Sequence, residues 1–444
     1  MTEGPLLRKL VQFSVPLAIS GILQLLFNAA DIVVVGRFAG SHSLAAVGST
    51  GALNMLIINL FMGLSIGVNV LAARFYGAGR GRDLHETVHT AVLIAAISGF
   101  VLIFLGIGLS RPLLQMMDTP VDVIDHSVLY MRIIFAGMPA CMLYNFGSAI
   151  LRAVGDTQRP LYFLLTAGII NVLLNLFFVI VLHMGVAGVA LATVISQCVS
   201  AALVILCLTR SEGPYRLNLK ELKIYGPKLK DMTRIGIPAG IQSSMFSISN
   251  VLIQSTINSF GSVAMAGSTA AGNIEGFLFT SLDAFTQGSQ SFVGQNYGAK
   301  KMDRVKRIIG ICVGLVTALG LVLGVSAYLA ADPLLGIYSS DPAVIEYGKQ
   351  RMLINAVFYF TIGPMGIFVG GMRGMGYSIL PMVDTIFGTC VLRVLWVYTV
   401  FAIWPSWLVL FASYPVSWAL TGVLAGVSYI IVQKKAAKRL EGGV

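Results

Sequence analysis

Arg152–Pro160 reads RAVGDTQRP and Arg373–Pro381 reads RGMGYSILP, so an Arg, a Gly three residues on and a Pro eight residues on recur at an offset of 221. Working outward, Tyr76-Gly77-Ala78 returns as Tyr297-Gly298-Ala299 at the same offset, and Pro16 returns as Pro238, 222 positions on. The chain is one unit written twice. Duplicated halves of this size in an apolar chain are the pattern of secondary transporters, in which two units rock against each other around a substrate.

Composition supplies the solvent. Of 444 residues, 56% are hydrophobic and 11% charged, and the mean hydropathy is +0.84, whereas a soluble domain carries roughly 25% charged residues. A span needs about 20 mostly apolar residues. Twelve such stretches are present, at 11–35, 44–72, 87–110, 127–150, 160–183, 186–208, 232–258, 263–293, 307–330, 348–371, 379–402 and 406–432; the seventh and eighth are markedly polar. The expected fold is an all-α integral membrane protein with twelve transmembrane helices. Residues 1–208 and 232–444 would each form a six-helix bundle, joined by a connector at 209–231. Six spans per half return the chain to its starting side, which makes the halves parallel repeats about a pseudo-two-fold along the membrane normal.

The net charge of +11 is distributed as a topology signal. On this arrangement 24 of the 30 Lys and Arg fall on one side, including the connector and the C-terminal tail, while Arg37, Arg111, Arg132, Lys349 and Arg351 fall on the other. Positive-inside bias then puts both termini in the cytoplasm of a cell membrane. Nucleic acid is not an expected partner, because these charges make no single basic groove. The five cysteines show neither a disulfide framework nor metal spacing, and no GxxxxGK[ST] loop is present to hold a nucleotide. No cofactor is expected, and nothing requires more than a monomer.

Charges inside the bilayer carry the functional reading, since a central carboxylate costs about 2.5–3.5 kcal/mol and needs a cavity or a partner. Asp31, Glu275, Asp283 and Asp384 qualify, with Arg393 the one deep base, and a structural Asp384–Arg393 ion pair or a charge reaching the interface is the plainest reading of that couple. Gln24, Asn28 and Asp31 share one helical stripe; Asn171 and Asn175 are one turn apart on the fifth span, and Thr193 lies on the sixth. A carboxylate among amide and hydroxyl oxygens suits H⁺ or Na⁺, hard cations that prefer oxygen. These residues are expected to couple an ion, with Na⁺ held at Asp31, Asn171 and Asn175; hydrogen bonds that merely join helices are the alternative. In the second half Ser243, Ser247, Asn250 and Gln254 align on one face with Gln242 beside it, and Glu275, Phe279 and Asp283 follow on the next span. An acid among aromatic and Met side chains suits a lipophilic cation, so Gln24 and these eight residues are the expected substrate contacts. Gly63-Leu64-Ser65-Ile66-Gly67 matches the GxSxG of serine hydrolases, but it lies within a span with no His at that depth, and close helix packing explains the glycines.

These landmarks together resemble the multidrug and toxic compound extrusion (MATE) family. They run from Pro16 and Asp31 through Tyr76-Gly77-Ala78 to Arg152-Ala153-Val154-Gly155-Asp156-Thr157, with echoes in the second half, and cover essentially the whole chain. The resemblance implies two six-helix bundles, export of organic cations by alternating access in exchange for H⁺ or Na⁺, and an essential acid at Asp31. It places the family's fifth-helix site on Asn171 and Asn175 and its sixth-helix threonine on Thr193. Pro16 is the expected hinge, since proline removes a helix hydrogen bond. The chain departs from the pattern at Asn175, where some archaeal members carry Asp. It also departs at Met245 or Phe246 and Ile362 or Gly363, where many members of the NorM branch carry Glu and Asp. A lipid-linked oligosaccharide flippase of the wider superfamily is the alternative transporter reading.

Overall fold

The computed structural model describes residues 1–117 and 119–441. The described residues contain helices and no strand, as expected where lipid offers the backbone no partner. In chain order the helices are α1 Leu6–Phe38, α2 Ser41–Gly77, α3 Gly81–Met116, α4 Val121–Ala136, α5 Met138–Val154, α6 Gln158–Leu176 and α7 Gly185–Arg210; then α8 Gly226–Asn258, α9 Ser262–Gly298, α10 Met302–Leu329, α11 Ala331–Gly336, α12 Pro342–Asn355 and α13 Ile362–Gly374; then α14 Ile379–Thr385, α15 Leu392–Tyr398, α16 Val400–Ile403 and α17 Trp407–Glu441. A π-helical turn, Phe177–Val181, extends α6, and another, Ile386–Val391, joins α14 to α15.

Among the described residues nine helices are long and apolar enough to cross a membrane, and ten if α4 and α5, bent by 48°, count as one span. The two missing from the expected twelve are α8 and α9. Both are long, at 33 and 37 residues, but their Ser, Asn, Gln and acidic residues hold them below the apolarity of a lipid-facing span.

Arg152–Pro160 and Arg373–Pro381 are a pair of matching helix stops. Gly155 follows α5 at φ 105° and Gly376 follows α13 at φ 88°, a left-handed conformation that glycine adopts without steric cost. Asp156 N–H donates to Leu151 O and Tyr377 N–H donates to Met372 O, both at 2.9 Å, the long closing bond of a Schellman motif. Asp156 then opens the next helix, its Oδ1 accepting from Gln158 N (3.2 Å) and Arg159 N (3.1 Å). The same offset of 221 relates α2 to α9, each 37 residues long.

The chain divides into two compact units, Ile19–Gly240 and Met1–Ala18 with Ile241 onward. In the first, α2, α3, α4, α5 and α7 pack around Leu71, Leu84, Met131, Phe135, Phe146 and Val204. Gly63 and Gly67 of α2 lie against the α8 backbone at Gly240, Gly236 and Met232, so an added Cβ would collide with main chain. Ser65 is buried beside them and its hydroxyl donates to Met62 O (2.7 Å); the GxSxG match is a helix-packing seam. In the second unit Leu6, Leu10, Phe13 and Leu17 of α1 join a core with Phe292, Ile309 and Val316. Pro16 is buried inside an unbroken α1, as Pro238 is held inside α8, and each stands two residues before its helix passes from one unit to the other.

Candidate functional site

Three helices of the Ile19–Gly240 unit bring polar side chains together. Asp31 of α1 is half-buried and accepts a hydrogen bond from Asn175 Nδ2 of α6. That same amide nitrogen donates to Asn171 Oδ1 one turn back (3.3 Å), and Asn171 Nδ2 donates to Thr193 Oγ1 of α7 (3.4 Å). The Thr193 hydroxyl donates to Val189 O (3.0 Å), which keeps its lone pairs toward Asn171. Asn171 and Asn175 are 5% and 0% exposed, and the i, i+4 spacing puts both on one face of α6. Asp31, Asn171, Asn175 and Thr193 therefore form one continuous network.

Two features mark the network. No Lys or Arg pairs with Asp31 among the described residues, and Asn175 Oδ1 is buried without a hydrogen-bond partner. Buried acceptors are normally satisfied. One carboxylate, two amide oxygens and one hydroxyl oxygen are a donor set that fits a hard monovalent cation. Gln24 and Asn28 stand on α1 as exposed side chains outside the network. Tyr130 of α4 lies within electrostatic reach of Asp31; sequence patterning missed it because nothing on α4 repeats around it.

The second-half residues go to other partners. Glu275, 5% exposed, receives Arg351 Nε on Oε1 (3.1 Å) and Arg351 Nη2 on Oε2 (2.7 Å). Arg351 also donates to Ser268 O and Oγ (3.0 and 2.7 Å) and stacks over Phe411 at 5.0 Å. The base read from sequence as an outer-side topology charge is the partner of the acid read as a substrate contact. Gln242 accepts from Arg373 Nη2 (2.6 Å) and donates to Thr385 Oγ1 (2.8 Å). Asp283 accepts from Gln287 (2.8 Å) and lies in the field of Arg373. Ser247 donates to Ser243 O (3.1 Å), Gln254 to Asn258 (2.9 Å), and Phe279 is 44% exposed.

Arg393 is fully buried, so it does not reach an interface, and it makes no ion pair with Asp384 among the described residues. It donates to Asn250 Oδ1 (3.0 Å) and Ser417 Oγ (3.1 Å) and sits between the rings of Tyr414 (4.2 Å) and Phe246 (5.3 Å). Aromatic faces and neutral oxygens replace the expected carboxylate.

The fold has close relatives in shape. A solved structure titled MATE in complex with MaL6 superposes with a TM-score of 0.91 at 21% identity, covering 98% of each chain. The Vibrio cholerae MATE transporter VcmN in the bent form gives 0.88 at 21%, covering 97% of this chain and 98% of its own. In sequence, the probable multidrug resistance protein YoeA of Bacillus subtilis is 28% identical, over 96% of this chain and 94% of its own. The protein named FAD transporter in Shewanella oneidensis is 24% identical, over 88% and 86%. Residues 16–177 and 238–399 each match MatE, two blocks offset by 222 that coincide with the internal repeat, and the chain belongs to that family of transporters.

Proposed function

We propose that the protein is an antiporter that exports lipophilic organic cations across the cell membrane in exchange for H⁺ or Na⁺, with Asp31 as the coupling carboxylate and both termini in the cytoplasm. The observation that carries this is a carboxylate with no basic partner among the described residues, set among Asn171, Asn175 and Thr193, with one buried amide oxygen left over. The Asn175 amide offers a donor on one side and an acceptor on the other. While Asp31 is ionised it needs the N–H; once Asp31 carries a proton or a cation, an amide turned by half a rotation supplies the oxygen. Asn175 thus reads the state of Asp31 and passes it along α6 to Asn171 and Thr193. One charge falling through about 100 mV provides roughly 2.3 kcal/mol, enough for about a forty-fold gradient at 1.4 kcal/mol per decade. Pro16, buried in α1 fifteen residues before Asp31, is where that helix can bend as the ion is exchanged.

A second reading, export of an anionic amphiphile, draws on Arg393, a buried cation without an acidic partner among the described residues, and on the relative named FAD transporter. The experiment separates them: efflux of ethidium or of FAD from proteoliposomes under separately imposed Na⁺ and H⁺ gradients, for wild type and Asp31→Asn. Ethidium export driven by one gradient and lost in the variant is the expected result. Export of FAD alone would favour the second reading, and full ethidium export by Asp31→Asn would remove Asp31 from coupling, leaving Asp384, a buried acid without a basic partner among the described residues, as the next to test.

A further inference from the structure

The start of α3 reads His85-Glu86-Thr87-Val88-His89, an HExxH that puts two imidazoles one turn apart on one face. The connector brings Glu221 onto that face. We propose that His85, His89 and Glu221 form a binding site for one divalent transition-metal ion of the zinc class, which would tie the connector to α3. His85 Nε2 lies 3.2 Å from Glu221 Oε2, the two imidazole rings are 4.0 Å apart and tilted by 38°, and one ligand atom from each residue lies within 4.8 Å of the others.

The atoms facing away from this point are already held. His89 Nδ1 lies 2.8 Å from His85 O, and its Nε2 faces the Asn218 backbone, with O at 3.2 Å; in the tautomer with the proton on Nδ1 the lone pair is on Nε2. Glu221 Oε1 accepts from Asn218 Nδ2 (2.8 Å), which leaves Oε2 toward His85. Such outer hydrogen bonds orient ligands in metal sites. In that tautomer His89 Nε2 accepts from the backbone N–H of Asn218 (3.0 Å), and a bound ion would take the place of this contact. Two nitrogens and one carboxylate oxygen, with a fourth position for water, suit tetrahedral Zn²⁺. The Glu86 that acts as base in hydrolases of this motif is 3.3 Å from Arg82 Nε and 3.9 Å from Lys228 Nζ. With Glu86 turned toward these two cations, the proposed site is one for binding and not for hydrolysis.

The test uses the full chain purified without a polyhistidine tag. Zn²⁺ retained after desalting is measured by elemental analysis, and Co²⁺ is titrated with visible absorption as the readout. One equivalent of Zn²⁺, the strong bands of four-coordinate Co²⁺, and at least tenfold weaker binding in His85→Ala and Glu221→Gln are expected. Zn²⁺ should raise the melting temperature of wild type and not that of Glu221→Gln. Because Glu221 is exposed, that variant tests the ligand without disturbing the core. Absence of saturable binding by wild type, or unchanged affinity in Glu221→Gln, would overturn the proposal; if the His85 variant fails to fold, the wild-type cobalt spectrum and Glu221→Gln still decide.

Discussion

Glu275 and Arg351 allow a decisive experiment, because a transport acid and a structural acid respond in opposite ways to the same change. Their side chains are 6% and 12% exposed and meet through two hydrogen bonds, 3.1 and 2.7 Å. At an effective dielectric of about 20, unit charges about 4 Å apart attract by about 4 kcal/mol, and removing one member of a buried pair costs about 3–5 kcal/mol because the other charge stays behind. Glu275→Gln would leave Arg351 with Ser268 and one amide oxygen; Arg351→Gln would leave Glu275 with Asn355, 3.5 Å away. At about 2–4 °C per kcal/mol for a unit of 150–250 residues, a loss of about 3 kcal/mol lowers the melting temperature of either single variant by roughly 6–12 °C. The double variant buries two neutral amides, so it should lose less than the sum, with a coupling of about 2 kcal/mol or more. Thermal unfolding of the four proteins in one detergent, beside ethidium efflux, completes the cycle. The reasoning is refuted if Glu275→Gln melts like wild type yet no longer transports.

Gly63→Leu should prevent stable folding, since its Cβ would enter the backbone at Gly240 and Gly236 and overpacking of this kind costs about 1–3 kcal/mol or more; Ser65→Ala beside it should leave expression, melting and transport unchanged. Gly155→Ala and Gly376→Ala should each destabilise by about 1–2 kcal/mol, the cost of left-handed backbone in an L-residue, measured as a fall in melting temperature. Arg393→Met should melt within about 2 °C of wild type, because an apolar chain of similar size replaces a buried charge at little cost; a folded Arg393→Met that exports ethidium but has lost FAD transport would give the guanidinium to substrate.

What could be read from sequence is what the chain specifies locally. The helix stops at Gly155 and Gly376 depend on residues within five positions, so the repeat announces the backbone it builds. Asn171 and Asn175 are one turn apart, and helical spacing alone places them together; their grouping with Asp31 is expected from the chemistry of polar side chains within spans, and the family resemblance points to the same residues. Partners brought together by tertiary packing left no such trace. Arg351 is 76 residues from Glu275, and Asn250 is 143 from Arg393. Periodicity shows that Asn250 and Ser247 share a face of α8 but not that a buried guanidinium stands opposite. For the same reason α8 and α9 look too polar to span: their polar groups bond to one another and to neighbouring helices, a balance that hydropathy does not count.

The repeat also shows where the halves stopped being equivalent. An offset of 221 carries Asp31 to Leu252, Asn175 to Trp396 and Thr193 to Tyr414. Asn171 falls on Leu392; counting the extra residue of the π-helical turn Ile386–Val391 moves it to Arg393 and Asn175 to Val397. Where the first half sets amides and a hydroxyl around an acid, the second sets a guanidinium over Tyr414 with Asn250 and Ser417 as its oxygens. The second half thus holds a covalently attached cation beside neutral oxygens, where the first half sets its oxygens around a carboxylate. Glu275 is neutralised by Arg351. If charge neutralisation is what permits a helix to move within lipid, the two acids without a basic partner among the described residues, half-buried Asp31 in the first half and buried Asp384 in the second, are the positions at which the proposed coupling is to be tested.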